Sequence, residues 1–160
     1  MKKQEEIDNL SIYKDEEQGF EFKYPQLCNH HLFYAHPERY FEEKPKIIIT
    51  PNVDDLVCEE REIERTNEFP LGAHQKKITI EGKTYCKVTG DVDAAPGVIH
   101  TGYKYSTIID NTQITLEFII GFSTCVIWEV ETQEECQKEK ANFNPDILAH
   151  QILSTFRFLE

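Results

Sequence analysis

The chain contains 160 residues, of which 39% are hydrophobic, and it carries a formal net charge of −12 at pH 7. A chain of this length can bury about 70% of its unfolded surface, so one domain with a conventional core is expected. The negative charge repels nucleic-acid phosphates and anionic lipids, which excludes nucleic acid as the expected partner. Acidic residues concentrate at 54–64 and 129–139, and we interpret both stretches as solvated faces. No stretch approaches the roughly 18 apolar residues of a membrane-spanning segment, so none is predicted.

The chain starts with a polar stretch that is followed by a predicted hairpin. Residues 1–9 are mostly polar and are expected to be flexible, whereas residues 10–160 are predicted to form a single domain. Apolar and polar residues alternate over 10–13 and again over 20–24, on either side of turn-forming residues. This pattern predicts a β-hairpin that ends at Pro25, because proline cannot extend the hydrogen-bonded ladder.

The next predicted elements are a strand and a helix. Residues 46–50 form a short apolar run between two prolines, which is typical of a buried strand. Asn52 is a residue type that caps helices, and a sparse apolar stripe follows it. These residues predict a helix that ends near Arg65.

The middle of the chain is predicted to supply the central strands of an antiparallel sheet. Residues 77–89 alternate apolar and polar around Gly82, which predicts a second hairpin. Residues 91–97 are expected to form a loop. Residues 98–109 and 112–127 then predict two long strands that are joined by a tight turn.

The end of the chain is predicted to be helical. Thr132 and Glu135 have the spacing of a capping box, in which each side chain satisfies an unpaired backbone donor. Asn144 and Pro145 mark a second helix start, since asparagine accepts hydrogen bonds at the cap and proline is tolerated at the first helical position. The second helix is expected to pack on the sheet, and residues 157–159 are expected to form a short closing strand.

The five cysteines are informative about the cellular compartment of the protein, because disulfides persist only in oxidising surroundings. They are Cys28, Cys58, Cys86, Cys125 and Cys136. Cys125 ends a predicted strand and Cys136 opens a predicted helix, so a short reversal brings their side chains together and makes this pair the candidate disulfide. The alternative is that all five are reduced core residues, and the connectivity stays open.

The chain contains no familiar catalytic signature, whether a phosphate-binding loop, a dinucleotide fingerprint, a nucleophile elbow or a zinc-protease helix. The candidate metal ligands are one cysteine and three histidines, namely Cys28, His30, His31 and His36. Their donor atoms suit zinc, but their spacing matches no known finger, and ordinary loop or core histidines are the plainer interpretation. The sequence therefore predicts no cofactor and no catalytic or metal site.

Several segments together resemble small bacterial extracytoplasmic and lipoprotein domains of the PsbP and Mog1 group. They are residues 13–25, the hairpin around Gly82, the paired long strands and the terminal residues 152–158. The resemblance implies an α+β fold in which an antiparallel β-sheet is flanked by helices on both faces, an α/β/α sandwich. It also implies a domain exported from the cytoplasm. Members of the group serve as photosystem accessory subunits or bind a small GTPase, and no functional residue transfers from them to this chain.

These observations predict a non-catalytic, extracytoplasmic binding or accessory domain that contacts a protein or a small ligand through a sheet face or groove. It would be exported or lipid-anchored, with its signal already removed, and the alternative is a cytoplasmic protein. The alternative function is a small metal-binding protein or enzyme that uses Cys28, His30 and His36. The sequence leaves the partner and the oligomeric state open.

Overall fold

A computed structural model of the protein describes residues 10–25, 45–95, 97–123, 125 and 130–160. These residues form nine strands and two short helices. In chain order they are β1 Leu10–Asp15, β2 Phe20–Pro25, β3 Lys46–Pro51, β4 Arg61–Ile63, β5 Ala73–Ile80, β6 Lys83–Ala95, β7 Val98–Ile109, β8 Thr112–Ser123, α1 Val130–Asn142, α2 Pro145–Ser154 and β9 Arg157–Phe158. Within the described ranges, no helix is long and apolar enough to span a membrane.

The strands form two antiparallel sheets. Six of them make the larger sheet in the order β3-β8-β7-β6-β5-β4, and the smaller sheet has the order β1-β2-β9. Neighbours in the chain pair as hairpins, so β1 pairs with β2, β5 with β6, and β7 with β8. The predicted hairpins and the antiparallel sheet are therefore confirmed.

The core lies on one face of the six-stranded sheet, which we call the inner face. The smaller sheet and α2 pack against this face, and α2 contacts both β2 and β5. The buried residues of the core are Phe20, Phe22, Tyr85, Tyr103, Tyr105, Ile114, Leu116, Phe118, Ile120, Leu148, Ala149, Ile152, Leu153 and Phe156. Alternate residues of the strands point to this face because a strand has a side-chain period of two. One continuous core thus joins both sheets and α2.

The predicted capping residue is confirmed for α2 and is wrong for α1. Asn144 caps α2 as predicted, because its side chain accepts hydrogen bonds from the backbone nitrogens of Asp146 at 3.0 Å and Ile147 at 3.2 Å. By contrast, α1 begins at Val130 and already includes Thr132, so the prediction that Thr132 caps this helix is wrong. Local cap chemistry therefore determines the start of the helix that packs on the core.

The predicted helix from Asn52 to Arg65 is wrong. Asn52 has a φ of 60°, in the left-handed region, whereas a helix cap adopts an extended conformation. Residues after it form no helix, and the only regular element there is the short edge strand β4. The apolar stripe was too sparse to bury a helix face, and the disulfide between Cys58 and Cys86 holds this segment against the sheet instead.

The predicted loop at residues 91–97 is also wrong over most of its length. β6 continues to Ala95, and its pairing with β7 shifts register between Asp91 and Asp93. Such a β-bulge accommodates an extra residue and bends the strand, so the pairing continues past Asp91 instead of ending there.

Two disulfides are present in the described residues. One joins Cys58 to Cys86 across 28 residues, and the other joins Cys125 to Cys136, the pair that the sequence singled out. Because disulfides persist in oxidising compartments, the two bonds favour an oxidising, extracytoplasmic setting.

The outer face of the six-stranded sheet is covered in part by the segment between β4 and β5. Phe69 of this segment is 5% exposed and packs over Gly102. A Cβ atom at residue 102 would lie only 3.0 Å from the Phe69 ring and from Val92 Cγ1, so a side chain at this position would require both neighbours to shift. Beside it, Lys104 Nζ lies 2.7 Å from a Glu68 carboxylate oxygen and 3.0 Å from one of Glu117. One aromatic contact and one charged cluster thus hold this segment on the outer face.

Candidate functional site

The inner face changes from apolar to polar across the six-stranded sheet. One cross-strand row shows the change, since Phe118 of β8 pairs with Tyr103 of β7, which pairs with Thr89 of β6 and through it with His74 of β5. The β8 side of the row belongs to the buried core, whereas Thr89 and His74 are only partly buried. The covering sheet and helix therefore leave the β5 side of the inner face open.

An open hollow of about 810 Å³ lies at this polar end, and we call it the acidic groove. Its volume falls within the roughly 300–1,000 Å³ that is typical of ligand sites. Ile63, Leu71 and Ala73 also border it, although the pairing of β4 with β5 places the side chains of Ile63 and Ala73 on the outer face of the sheet. The polar side chains that line it are Glu62, Glu64, Arg65, His74, Thr89, Asp91 and Thr101.

Two hydrogen-bonded pairs fix the polar groups of the groove. Thr101 Oγ1 donates to Asp91 Oδ1 at 2.8 Å across the β6–β7 pair. His74 lies between two glutamates, with Nδ1 2.7 Å from Glu62 Oε1 and Nε2 3.5 Å from Glu60 Oε1. The edge strand β4 therefore contributes one wall of the groove through Glu62, and the bulged strand β6 contributes the floor through Asp91.

A buried ion pair lies at the boundary between the apolar core and the polar end of the inner face. Lys87 is 8% exposed, and its Nζ lies 2.6 Å from Oδ1 of Asp146 in the first turn of α2. Tyr105 Oη donates to the same carboxylate oxygen at 2.7 Å. The ammonium of Lys87 also lies about 6 Å from two ring centroids, at 5.9 Å from Tyr103 and 5.8 Å from Tyr105. This cluster anchors the start of α2 to the sheet.

Tyr103 stands between this ion pair and the groove. Its ring stacks on Phe118 with centroids 5.2 Å apart, and the residue as a whole is 7% exposed. Burial raises the pKa of its hydroxyl, and the carboxylates of Asp91 and Asp146 raise it further. Within the described ranges the hydroxyl forms no hydrogen bond, yet it is not among the fully buried polar atoms that lack a partner. The hydroxyl is therefore accessible to solvent, although Tyr103 does not belong to the lining of the groove.

A second chain of polar contacts holds α2 at its other side. Tyr85 Oη and His150 Nδ1 lie 2.5 Å apart, and His150 Nε2 lies 3.1 Å from Glu81 Oε2 in the β5–β6 turn. Burial is the main cause that raises the pKa of Tyr85 to about 12, with Glu81 adding to it. The contacts fix α2 over the β5–β6 hairpin and lie away from the open groove, so we assign them a structural role.

A smaller pocket of about 240 Å³ lies on the outer face, beside Phe69 and Gly102. It is smaller than most ligand sites, and Lys104 and Glu117 in its lining are already paired with each other. The acidic groove is therefore the better candidate for a ligand site.

The predicted metal ligands Cys28, His30, His31 and His36 lie outside the described residues. Among the residues that are described, no group of three or more His, Cys, Asp or Glu side chains could hold a metal ion. The metal-binding alternative stays a prediction.

The sequence did not identify the residues of the groove. Glu62 and Glu64 were interpreted as part of a solvated face, and Asp91 as part of a loop. The available signal was the run of polar residues at every second position of β6, Lys87, Thr89 and Asp91, on the face where Tyr85 is buried. Polar residues on the buried face of a strand indicate either a partner or an opening.

Stability is expected to fall at alkaline pH because of the buried tyrosines. Burial is the largest cause that raises the pKa of Tyr85, Tyr103 and Tyr105 above the ordinary value of 10.0. An unfolded tyrosine loses its proton near pH 10 while the folded one keeps it, so the unfolded state binds fewer protons there. The free energy of unfolding should therefore decrease as the pH rises from about 10 to about 12.

Urea unfolding at about pH 9 and about pH 11 would measure this decrease. The Tyr105→Phe variant has one titrating group fewer and should lose less stability between the two pH values. A free energy of unfolding that stays level over this interval would contradict the prediction.

No family model matches the chain, and no curated protein matches it. The function is therefore inferred from the geometry of the groove.

Proposed function

We propose that the protein is a non-catalytic, extracytoplasmic binding domain that holds its ligand in the acidic groove. The observation that supports this function best is the open polar end of a sheet face that is otherwise buried. Over β8 this face is apolar and buried. At the β5 side, by contrast, Thr89, Asp91 and Thr101 keep it polar and accessible. A rigid sheet that presents a few fixed polar groups is the usual form of a small ligand site.

The pairing of the charged groups orients the lining of the groove. Lys87 Nζ is held by Asp146, and His74 Nδ1 is held by Glu62. These contacts fix polar side chains at and beside the groove, as a preorganised binding site requires.

We also propose that the domain is exported or lipid-anchored and is related to the PsbP and Mog1 group, with helices that flank its sheet on both faces. The two disulfides and the packing of α2 on an antiparallel sheet support this relation. Intact-mass measurement of the protein from its natural source would test export. A processed or lipid-modified N-terminus supports the proposal, whereas an unprocessed chain with free thiols at Cys58 and Cys86 contradicts it.

A blocked groove tests the proposed function. In the Thr101→Trp variant an indole should fill the hollow, and the Thr79→Trp variant carries the same change at an exposed position on the opposite face of the sheet. Thermal unfolding would be followed with a panel of small ligands and short peptides of either charge. We expect at least one compound to raise the Tm of the wild type and of Thr79→Trp, but not that of Thr101→Trp. Ligands that stabilise all three proteins equally would contradict binding in the groove.

A further inference from the structure

The segment that precedes β4 is attached to the sheet by a disulfide. Residues 52–60, which we call the strap, form no strand or helix. Cys86 follows the core residue Tyr85 in β6, so its side chain points to the outer face, where it is bonded to Cys58. Two hydrogen bonds hold the strap on either side of this bond, from Val53 N to Asn111 O in the β7–β8 turn and from Gln75 Nε2 of β5 to Glu59 O. The strap therefore runs from the β7–β8 turn, over β6, to the edge of the sheet.

The side chains of the strap add little to the core. None of them is among the described residues that form the core or pack against it. Val57, directly before Cys58, is 83% exposed, and Glu59, directly after it, is also exposed. Segments with few buried apolar contacts open locally at a low cost in free energy. Without its disulfide, the strap would keep only two hydrogen bonds and the contact of Glu60 with His74 among its described contacts.

The two disulfides differ in their accessibility to an external thiol. Cys125 and Cys136 are 1% and 3% exposed, so both partners of that bond are enclosed. Cys86 is 7% exposed, but Cys58 is only partly buried and lies between exposed residues. Thiol–disulfide exchange begins when a thiolate reaches one of the two sulfurs, and its rate depends on this access. An external thiol should therefore react first with the bond that holds the strap.

The strap leads directly into one wall of the acidic groove. Glu60 at its end and Glu62 of β4 both contact His74, at 3.5 Å and 2.7 Å. β4 has three residues and, within the described part of the chain, pairs only with β5. So short an edge strand belongs to the least stable parts of a sheet and depends on the chain that anchors it. Release of Cys58 should therefore detach β4 as well.

We propose that the Cys58–Cys86 disulfide is a redox switch, which a dithiol opens selectively and which then releases the strap and β4 from the sheet. A thiolate of the dithiol attacks the sulfur of Cys58, and Cys86 leaves as a thiolate that takes up a proton. The second thiol of the reagent then displaces Cys58 from the mixed disulfide. The protein gains two thiols, and the dithiol is oxidised to a disulfide. One consequence rests on the function proposed above: reduction removes a wall of the groove, so the ligand leaves.

Limited reduction of the full chain under native conditions tests the selectivity. The protein is treated with dithiothreitol, alkylated at intervals and digested for mass spectrometry. We expect Cys58 and Cys86 to become alkylated at least about tenfold faster than Cys125 and Cys136, because only the first bond has an accessible partner. Equal rates for the two bonds, or faster reduction of the Cys125–Cys136 bond, would overturn the proposal.

Hydrogen exchange of the partly reduced protein tests the release of the strap. Residues 59–64 and 73–76 should lose protection on reduction, whereas the amides of β7 and β8 should keep it. The Cys125→Ser/Cys136→Ser variant should respond to dithiothreitol as the wild type does, and the Cys58→Ser/Cys86→Ser variant should be open before the reagent is added. Unchanged exchange at residues 59–64 after reduction, or lost protection throughout the sheet, would contradict a local switch.

The effect on the ligand is measured separately. The compound of the panel that raises the Tm of the wild type most should bind the reduced protein with a Kd at least about tenfold higher. Equal affinities before and after reduction, with increased exchange at residues 59–64, would show that the strap does not control the groove. If no compound raises the Tm, the proposed function fails, and alkylation and hydrogen exchange still decide whether the disulfide is a switch.

Discussion

The Asp146→Ala variant is expected to unfold with a free energy about 2–3 kcal/mol lower than that of the wild type. Asp146 is the partner of Lys87, whose ammonium is buried beneath the start of α2. Without the carboxylate, a buried charge loses its compensation and Tyr105 loses its acceptor. The full effect of breaking a buried pair is about 3–5 kcal/mol, and the partial exposure of Asp146 reduces it. Urea unfolding followed by circular dichroism would measure the difference.

A double variant separates the charge effect from the loss of packing. In Lys87→Met with Asp146→Leu both charges are removed together, and the stability should return to within about 1 kcal/mol of the wild type. The Asp146→Ala variant should in addition weaken the contact of α2 with the sheet, which hydrogen exchange of residues 147–153 would report. A single variant as stable as the wild type would show that the pair is not buried in solution.

Removal of the Cys58–Cys86 disulfide is expected to have the largest effect, about 3.5 kcal/mol. The bond closes a loop between residues 28 positions apart, so its loss gives the unfolded chain much conformational freedom. It also attaches residues 52–60, which contain no strand or helix. Besides the disulfide, two described hydrogen bonds hold this segment. Val53 N donates to Asn111 O at 3.0 Å, and Gln75 Nε2 donates to Glu59 O at 2.9 Å.

The Cys58→Ser/Cys86→Ser variant should therefore also open the edge of the sheet. β4 has three residues and, among the described strands, pairs only with β5, so it depends on the anchored segment before it. We expect proteases to cut residues 52–64 much faster in this variant than in the wild type. Cys125→Ser/Cys136→Ser is the control, since its loop spans 11 residues and its loss should cost about 3 kcal/mol without exposing residues 52–64. Equal cleavage of this segment in both variants would contradict the anchoring role.

Local chemistry made much of the fold predictable. The β1–β2 and β5–β6 hairpins follow from alternation around turn residues, and Asn144 marks the start of α2 because its cap depends on residues two and three positions away. The disulfide between Cys125 and Cys136 was within reach for the same reason, since only 11 positions separate the two residues.

The features that the sequence did not predict depend on contacts between residues that are distant in the chain. The pairing of Cys58 with Cys86 spans 28 positions, and it places residues 52–60 against a strand where local residues suggested a helix cap. The groove likewise requires the register of β5, β6 and β7 and the position of α2 above them. Thr89 and Asp91 are ordinary strand residues until that register places them beside Tyr103 at an uncovered edge. No local pattern in one sequence reports such an opening.

The location of ligand binding is tested most directly by NMR of the 15N-labelled chain during titration with the compound of the panel that raises the Tm of the wild type most. If the acidic groove is the binding surface, the largest chemical-shift changes will occur at His74, Thr89, Asp91 and Thr101, whereas amides of β3 and of the β1–β2 hairpin will stay unchanged. Changes concentrated around Phe69 and Lys104 on the outer face, or spread evenly over the acidic surface, would contradict this account.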